Sequence, residues 1–179
     1  MDILISNNLE RLLFELTDHD PKPINNWMGK LKTGGAYSVD NQTKKKISRL
    51  LWADFCTEED TLKTIEKTWK QFSYVADTHT AVALNVYEKY LQTTGDTTKT
   101  VIASTASPFK FNESVAKAIF GEEKTRRRNE FELLEMLSQE CDLTIPEGLN
   151  GLQSKEILHR SICNVSDMKN QVSKILGVN

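Results

Sequence analysis

The stretch "VIASTASPFKF", residues 101–111, decides how this chain is read. Val101, Ile102 and Ala103 form a short apolar run that reads as a strand. Ser104, Thr105 and Ser107 then place hydroxyls close together, and Pro108 removes a backbone donor and stops a ladder. In an α/β protein, a strand that ends this way delivers side chains to the carboxyl edge of its sheet, where such folds bind ligands. An ordinary strand-to-loop exit built from turn-favouring residues has the same composition. Lys110, between Phe109 and Phe111, fits two roles. It can supply positive charge to a phosphate or carboxylate, or it can face solvent between two core rings.

On either side of this stretch the pattern is mostly helical. Near the start, "DILI" (2–5) is a strand candidate, and Ser6, Asn7 and Asn8 are good capping residues before "LERLLFEL". Leu9, Leu12, Leu13 and Leu16 share one face at helical spacing. A second helix is expected around Trp27–Leu31 and a third from Gln42 to Leu51, with the glycine turn "TGGAYSVD" between them. Thr57 and Asp60 resemble a capping box opening a helix to Phe72 with Leu62, Ile65 and Trp69 as its stripe. "YVAD" (74–77) is a further strand candidate, and the helix that follows it closes at Gly95. Asn112 is placed to cap "ESVAKAIF". "KTRRRNE" (124–130) reads as a charged connector, and Glu130–Glu140 as an amphipathic helix with Phe131, Leu134 and Leu137 inward. "IPEGLNG" is a loop, "HRSICN" a last short strand, and "VSDMKNQVSKILG" a terminal helix capped by Ser166 or Asp167. Strands alternating with helices predict an α/β class. The expected form is helix-rich: one compact unit over 1–179, with helices on the faces of a small, mostly parallel sheet. A sheet that small has edges to cover, the mark of a piece of something larger.

Composition limits the function. The chain has 179 residues and a net charge of −2, which gives no global electrostatic reason to bind nucleic acid or an anionic membrane. No apolar run approaches the ~20 residues of a membrane span, and the first residues lack a signal-peptide pattern. The three cysteines, Cys56, Cys141 and Cys163, match no metal-ligand spacing and suit a reducing, cytoplasmic setting. No glycine-rich phosphate loop, nucleophile elbow or metal motif is present. Three polar strand ends remain as candidates. "SNNLER" (6–11) offers helix-start amides beside Ser6 and Asn8, which suits an anion or simple capping. "DTHTA" (77–81) puts His79 at a helix start, as a ligand contact or as a structural histidine. The third is the opening stretch. The arginines at 126–128 are a solvated connector or a phosphate contact, and Trp27, Trp52 and Trp69 fall at core-like positions.

Taken together, "DILISNNLERLLFEL", "WADFC", "DTHTAVALNVYEKY", "VIASTASPFKFNESV" and "IPEGLNGL", in this order, resemble the C-terminal part of threonine synthase. The resemblance runs over essentially the whole chain. It implies a pyridoxal 5'-phosphate (PLP) enzyme of the tryptophan-synthase-β-like fold (fold type II). Such an enzyme converts O-phospho-L-homoserine and water to L-threonine and phosphate, with the cofactor as electron sink. It also implies that a neutral Ser or Thr hydroxyl faces the pyridine nitrogen. By position that residue is Thr105, with Ser104 second. Ser6, Asn8, His79 and Lys110 are the expected substrate contacts. The family pattern has a second serine where Asn7 stands and a proline where Thr78 stands. The Schiff-base lysine and the cofactor-phosphate loop belong to the N-terminal part of the family, and nothing in this chain matches either. The chain is therefore expected to hold no catalytic residue, to be inactive alone, and to have the N-terminal portion of threonine synthase as its partner. The competing reading is a freestanding interaction module that kept the fold and lost the chemistry.

Overall fold

The computed structural model describes residues 5–178. The chain divides into two compact units, one within Met1–Thr64 and His79–Ser104, the other within Ile65–Thr78 and Thr105–Asn179.

In the first unit, helices α1 (Asn7–Leu16), α2 (Pro21–Gly34) and α3 (Asn41–Leu50) share one core. Ser6 caps α1, its hydroxyl accepting from the Leu9 amide at 3.3 Å. Asp20 caps α2, and Pro21 sits where a missing N–H costs nothing. Asp40 caps α3, accepting from both the amide and the hydroxyl of Thr43. Leu13, Ile24 and Trp27 form the buried centre, with Phe14, Met28, Tyr37, Val39 and Ile47 packed against it. Trp27 and Tyr37 stack at 6.4 Å between ring centroids. The turn after α1 runs through two left-handed residues, Asp18 (φ 56°) and His19 (φ 64°). Lys46 reaches back to this turn and donates to the Leu16 carbonyl at 2.6 Å and to the Asp18 carboxylate at 3.0 Å. A cation is thereby set at the negative end of α1.

Helix α4 (Glu58–Phe72) opens as its sequence predicts. The Asp60 amide donates to the Thr57 hydroxyl at 3.1 Å, and that hydroxyl donates to the Asp60 carboxylate at 2.7 Å. The boundary between the units falls inside this helix, after Thr64. Helix α5 (Thr78–Thr94) ends at Gly95, which is left-handed at φ 65°. Within the first unit, Asn85 on α5 donates to the Thr64 hydroxyl at 3.3 Å.

The second unit is built on α6 (Asn112–Phe120), the single turn α7 (Glu122–Thr125) and α8 (Glu130–Cys141). Helices α6 and α8 pack together. Val115 and Ala116 on α6, and Leu133, Leu134 and Leu137 on α8, are buried. Asn112 is the first residue of α6, not its cap, and no side chain caps that helix. The Asn112 side-chain amide instead donates to the Glu130 carbonyl at 2.7 Å, tying the start of α6 to the start of α8. The expected connector at 124–130 holds the end of α7 and the start of α8, whose capping box pairs Asn129 with Glu132. Helix α9 (Met168–Leu176) follows a 3-10 turn at Val165–Asp167.

The expected parallel sheet is absent: among the described residues there is no strand and no sheet. "YVAD", "VIASTA" and "HRSICN" run as irregular or extended backbone without a ladder. Most of "DILI" lies outside the described residues, and Ile5, its last residue, is 65% exposed. The physical reason is that a strand is half an interaction. β-Branched, apolar residues favour an extended backbone, but the hydrogen bonds of a sheet come from a neighbouring strand. Val101, at the head of the run that reads most like a strand, is 90% exposed. Just before it the chain turns, and the Asp96 carboxylate accepts from the Thr98 amide at 2.9 Å.

Candidate functional site

Two of the three polar stretches meet. Thr80, in the first turn of α5, is 4% exposed, and its hydroxyl donates to the Ser104 hydroxyl at 3.1 Å. Helical phase explains the burial of Thr80: with Ala81 beside it, 0% exposed, it lies on the inward side of α5. Asp77, immediately before α5, is 1% exposed. Within the first unit, the start of α5 therefore offers a buried threonine and the half-buried His79, with the exposed Ser104 bonded to that threonine. Such a set can orient a polar ligand by hydrogen bonds without contributing a full positive charge.

Ser6 and Asn8 serve α1 itself. Ser6 spends its oxygen on the Leu9 amide, and Asn8 accepts from the Arg11 guanidinium. A shallow cleft of about 460 Å³ opens beside them, lined by Asn7, Glu10, Arg11 and Phe14 of α1 with Pro21 and Ile24 of α2.

Thr105 is exposed and is the first residue of its segment in the second unit. Ser107 caps the 3-10 turn Pro108–Phe111, its hydroxyl accepting from the Phe109 amide at 3.3 Å. That turn buries Phe109 and leaves Lys110 exposed, with its ammonium 5.6 Å from the centre of the Phe111 ring. Lys110 also lines a cleft of about 440 Å³ in the second unit, with Phe111, Asn112, Glu130, Phe131 and Leu152. The two carboxylates at its rim, Glu113 and Glu130, set negative charge beside this lysine. Among the described residues no group of His, Cys, Asp and Glu could hold a metal ion, and no helix is long and apolar enough to cross a membrane.

Sequence reasoning passed over Thr80 and Asp77. The signal for both was the quoted motif itself: in "DTHTA" the polar residue next to an inward alanine is the one that helical phase buries. The cysteines divide by exposure. Cys141 is buried, and burial pushes its thiol above the usual value, while Cys56 is half-buried and Cys163 exposed.

A family model described as "Threonine synthase, C-terminal" matches residues 80–157. Threonine synthase of Saccharomyces cerevisiae is 35% identical over 135 residues, covering 68% of this chain and 26% of the yeast protein. The Pseudomonas aeruginosa enzyme is 30% identical over 122 residues, with the same two coverages of 68% and 26%. This chain thus spans about a quarter of the length of these curated relatives. Among solved structures, yeast threonine synthase superposes with a TM-score of 0.70 at 28% identity, covering 99% of this chain and 35% of that one. A PLP-bound threonine synthase from Brucella melitensis superposes with a TM-score of 0.56 at 30% identity, covering 68% of this chain and 25% of that one.

Proposed function

Starting from the match between this chain and the C-terminal portion of threonine synthase, we propose that it supplies one wall of a cleft completed by the N-terminal portion of such an enzyme. The reaction is the conversion of O-phospho-L-homoserine and water to L-threonine and phosphate. PLP, held mainly by the N-terminal portion, supplies an electron sink when bound. The observation that carries the reading is the agreement with yeast threonine synthase over 99% of this chain.

On this reading, Thr105 and Ser104 present alcohols to the ring nitrogen of the cofactor. An alcohol donates a hydrogen bond to that nitrogen without transferring its proton, so the ring stays uncharged. The residues present fit the task. Thr105 is exposed at the segment's edge, and Ser104 is held by Thr80 through a bond of 3.1 Å. Thr80 thus acts as a positioning residue, fixing the rotamer of Ser104 from below. His79, Ser6 and Asn8 offer hydrogen bonds to a polar substrate, and Lys110 offers a point charge to its phosphate. The chain alone has no lysine segment for the cofactor and turns over no substrate. A reducing, cytoplasmic setting suits its exposed free thiol, Cys163.

Phosphate release from O-phospho-L-homoserine tests the proposal. It is measured with this chain alone and with the chain co-expressed with the N-terminal portion of the yeast enzyme. Release is expected only from the pair. In that pair, Thr105→Ala is expected to lower kcat by about tenfold or more, the worth of one well-placed hydrogen bond, with little change in KM. A pair without activity removes the assignment, and an unchanged kcat removes Thr105 from its role.

A further inference from the structure

Beyond Ser154, the second unit shows its apolar residues to solvent. Every residue from Gly151 to Asn170 is exposed. Ile157 is 69% exposed, Leu158 77%, Ile162 96% and Val165 86%. Helix α9 then carries a stripe at i, i+4, i+7 and i+8: Met168, Val172, Ile175 and Leu176, each more than half exposed. Helix α9 packs against the 3-10 turn that leads into it. An amphipathic helix with its apolar face outward, preceded by an apolar extended stretch, is not a surface that a lone globular protein maintains. Holding extended backbone in one course costs about 1–2 kcal/mol per residue, and burial within this segment offsets almost none of it.

We infer that residues 155–178 form a docking strap, and that its occupant is the N-terminal portion of the threonine synthase to which this chain is the C-terminal part. Two observations choose this partner. The superposition on yeast threonine synthase covers 99% of this chain, the strap included, yet takes in only 35% of the yeast chain. The strap therefore follows a comparable course in a protein that has much more chain available to cover it. The second observation is charge. Lys155, Arg160, Lys169 and Lys174 against Glu156 and Asp167 leave the strap at +2. Two straps brought face to face would repel, so a second copy is the poorer occupant. The fitting partner surface is an apolar groove with an acidic rim. The α9 stripe fills the groove, and Lys169 and Lys174 reach the rim from its flanks. The inference rests on the family assignment and adds where the two portions join.

Co-purification tests it. A tagged N-terminal portion of yeast threonine synthase is co-expressed with this full chain, with a Val172→Asp/Ile175→Asp variant, with an Ile157→Asp/Leu158→Asp variant, and with Lys32→Ala, a change at an exposed position of α2 outside the strap. Both strap variants are expected to fold, because the positions they change are exposed, and circular dichroism checks this. Each is expected to weaken capture by about tenfold or more, while Lys32→Ala is captured like the unchanged chain. Amide exchange in residues 168–176 is expected to slow at least tenfold in the complex. If the unchanged chain and both strap variants are captured equally, the strap inference fails and the family reading stands. If the unchanged chain is not captured, both fail. Self-association of the chain that Val172→Asp/Ile175→Asp abolishes assigns the strap to a second copy and overturns the inference.

Discussion

The α1–α3 cluster and the strap at 155–178 contain the same kinds of residue and treat them in opposite ways. Around α1–α3, Leu13 is 1% exposed, Trp27 4% and Ile24 6%. In α9, Ile175 is 67% exposed and Leu176 68%. Helical spacing of apolar residues is present in both. The difference lies in whether a second helix of the same chain is available to receive the stripe. Helix α1 has α2 and α3, and their connections are short and firmly capped. Helix α9 packs against the turn before it and leaves its apolar stripe exposed. Amphipathic pattern therefore shows that a face will be buried, and the partner must be found separately.

The largest effect that follows is on stability. Trp27→Ala should destabilise the chain by about 3–5 kcal/mol, because a large buried ring is replaced by a cavity and its stacking on Tyr37 is lost. Urea unfolding measures this through the midpoint. A cost under about 1 kcal/mol would mean that the cluster is as loosely held as the strap, and the contrast would collapse.

A smaller effect belongs to α8. Asn129→Ala removes the oxygen that accepts from the Phe131 and Glu132 amides at 3.0 Å, and it dismantles the capping box. The expected loss is about 1 kcal/mol, again read from the urea midpoint. This box was legible as N-x-x-E in the sequence, but the arginines beside it drew the segment into a connector. Much of the helical architecture was equally legible. The Thr57–Asp60 box, the Leu13 and Leu16 face and the Gly95 stop all stand where spacing and cap chemistry put them. The strands were not legible, for a physical reason. Helix caps and stripes are settled within a few residues, whereas a ladder depends on a partner that no local run reveals. The site shows the same division. His79, Ser104 and Thr105 stand as candidates by residue type and by likeness to a family. That Thr80 would reach across 24 positions to Ser104 could not be read from either.

The segment leading to Ser104 gives a pH test. Hydrogen bonds from the Thr98 hydroxyl, the Tyr90 hydroxyl and the Thr98 amide, in that order of effect, hold the Asp96 carboxyl at about 2, below the ordinary 3.8. A carboxyl depressed in the folded state adds stability that is fully present above its unfolded value and is lost as pH falls through about 2. A carbon-detected NMR titration should place the Asp96 midpoint near 2, and Tyr90→Phe should move it up towards 3.8. A midpoint already at the ordinary value in the unchanged chain would show that this turn does not hold the approach to Ser104.

The smallest expected effect bears most directly on the contrast. Ile175→Ala should change the stability of the chain by less than about 0.5 kcal/mol, since an exposed side chain gives up little on truncation. The same truncation at Leu137, 0% exposed on α8, should cost about 2–5 kcal/mol. Both are isoleucine- or leucine-to-alanine changes on helices of one unit, so propensity and size nearly cancel between them. What remains is whether a partner surface lies within this chain. If Ile175→Ala matched Leu137→Ala in the urea midpoint, α9 would already be buried by its own chain, and the strap would have no face left to offer another.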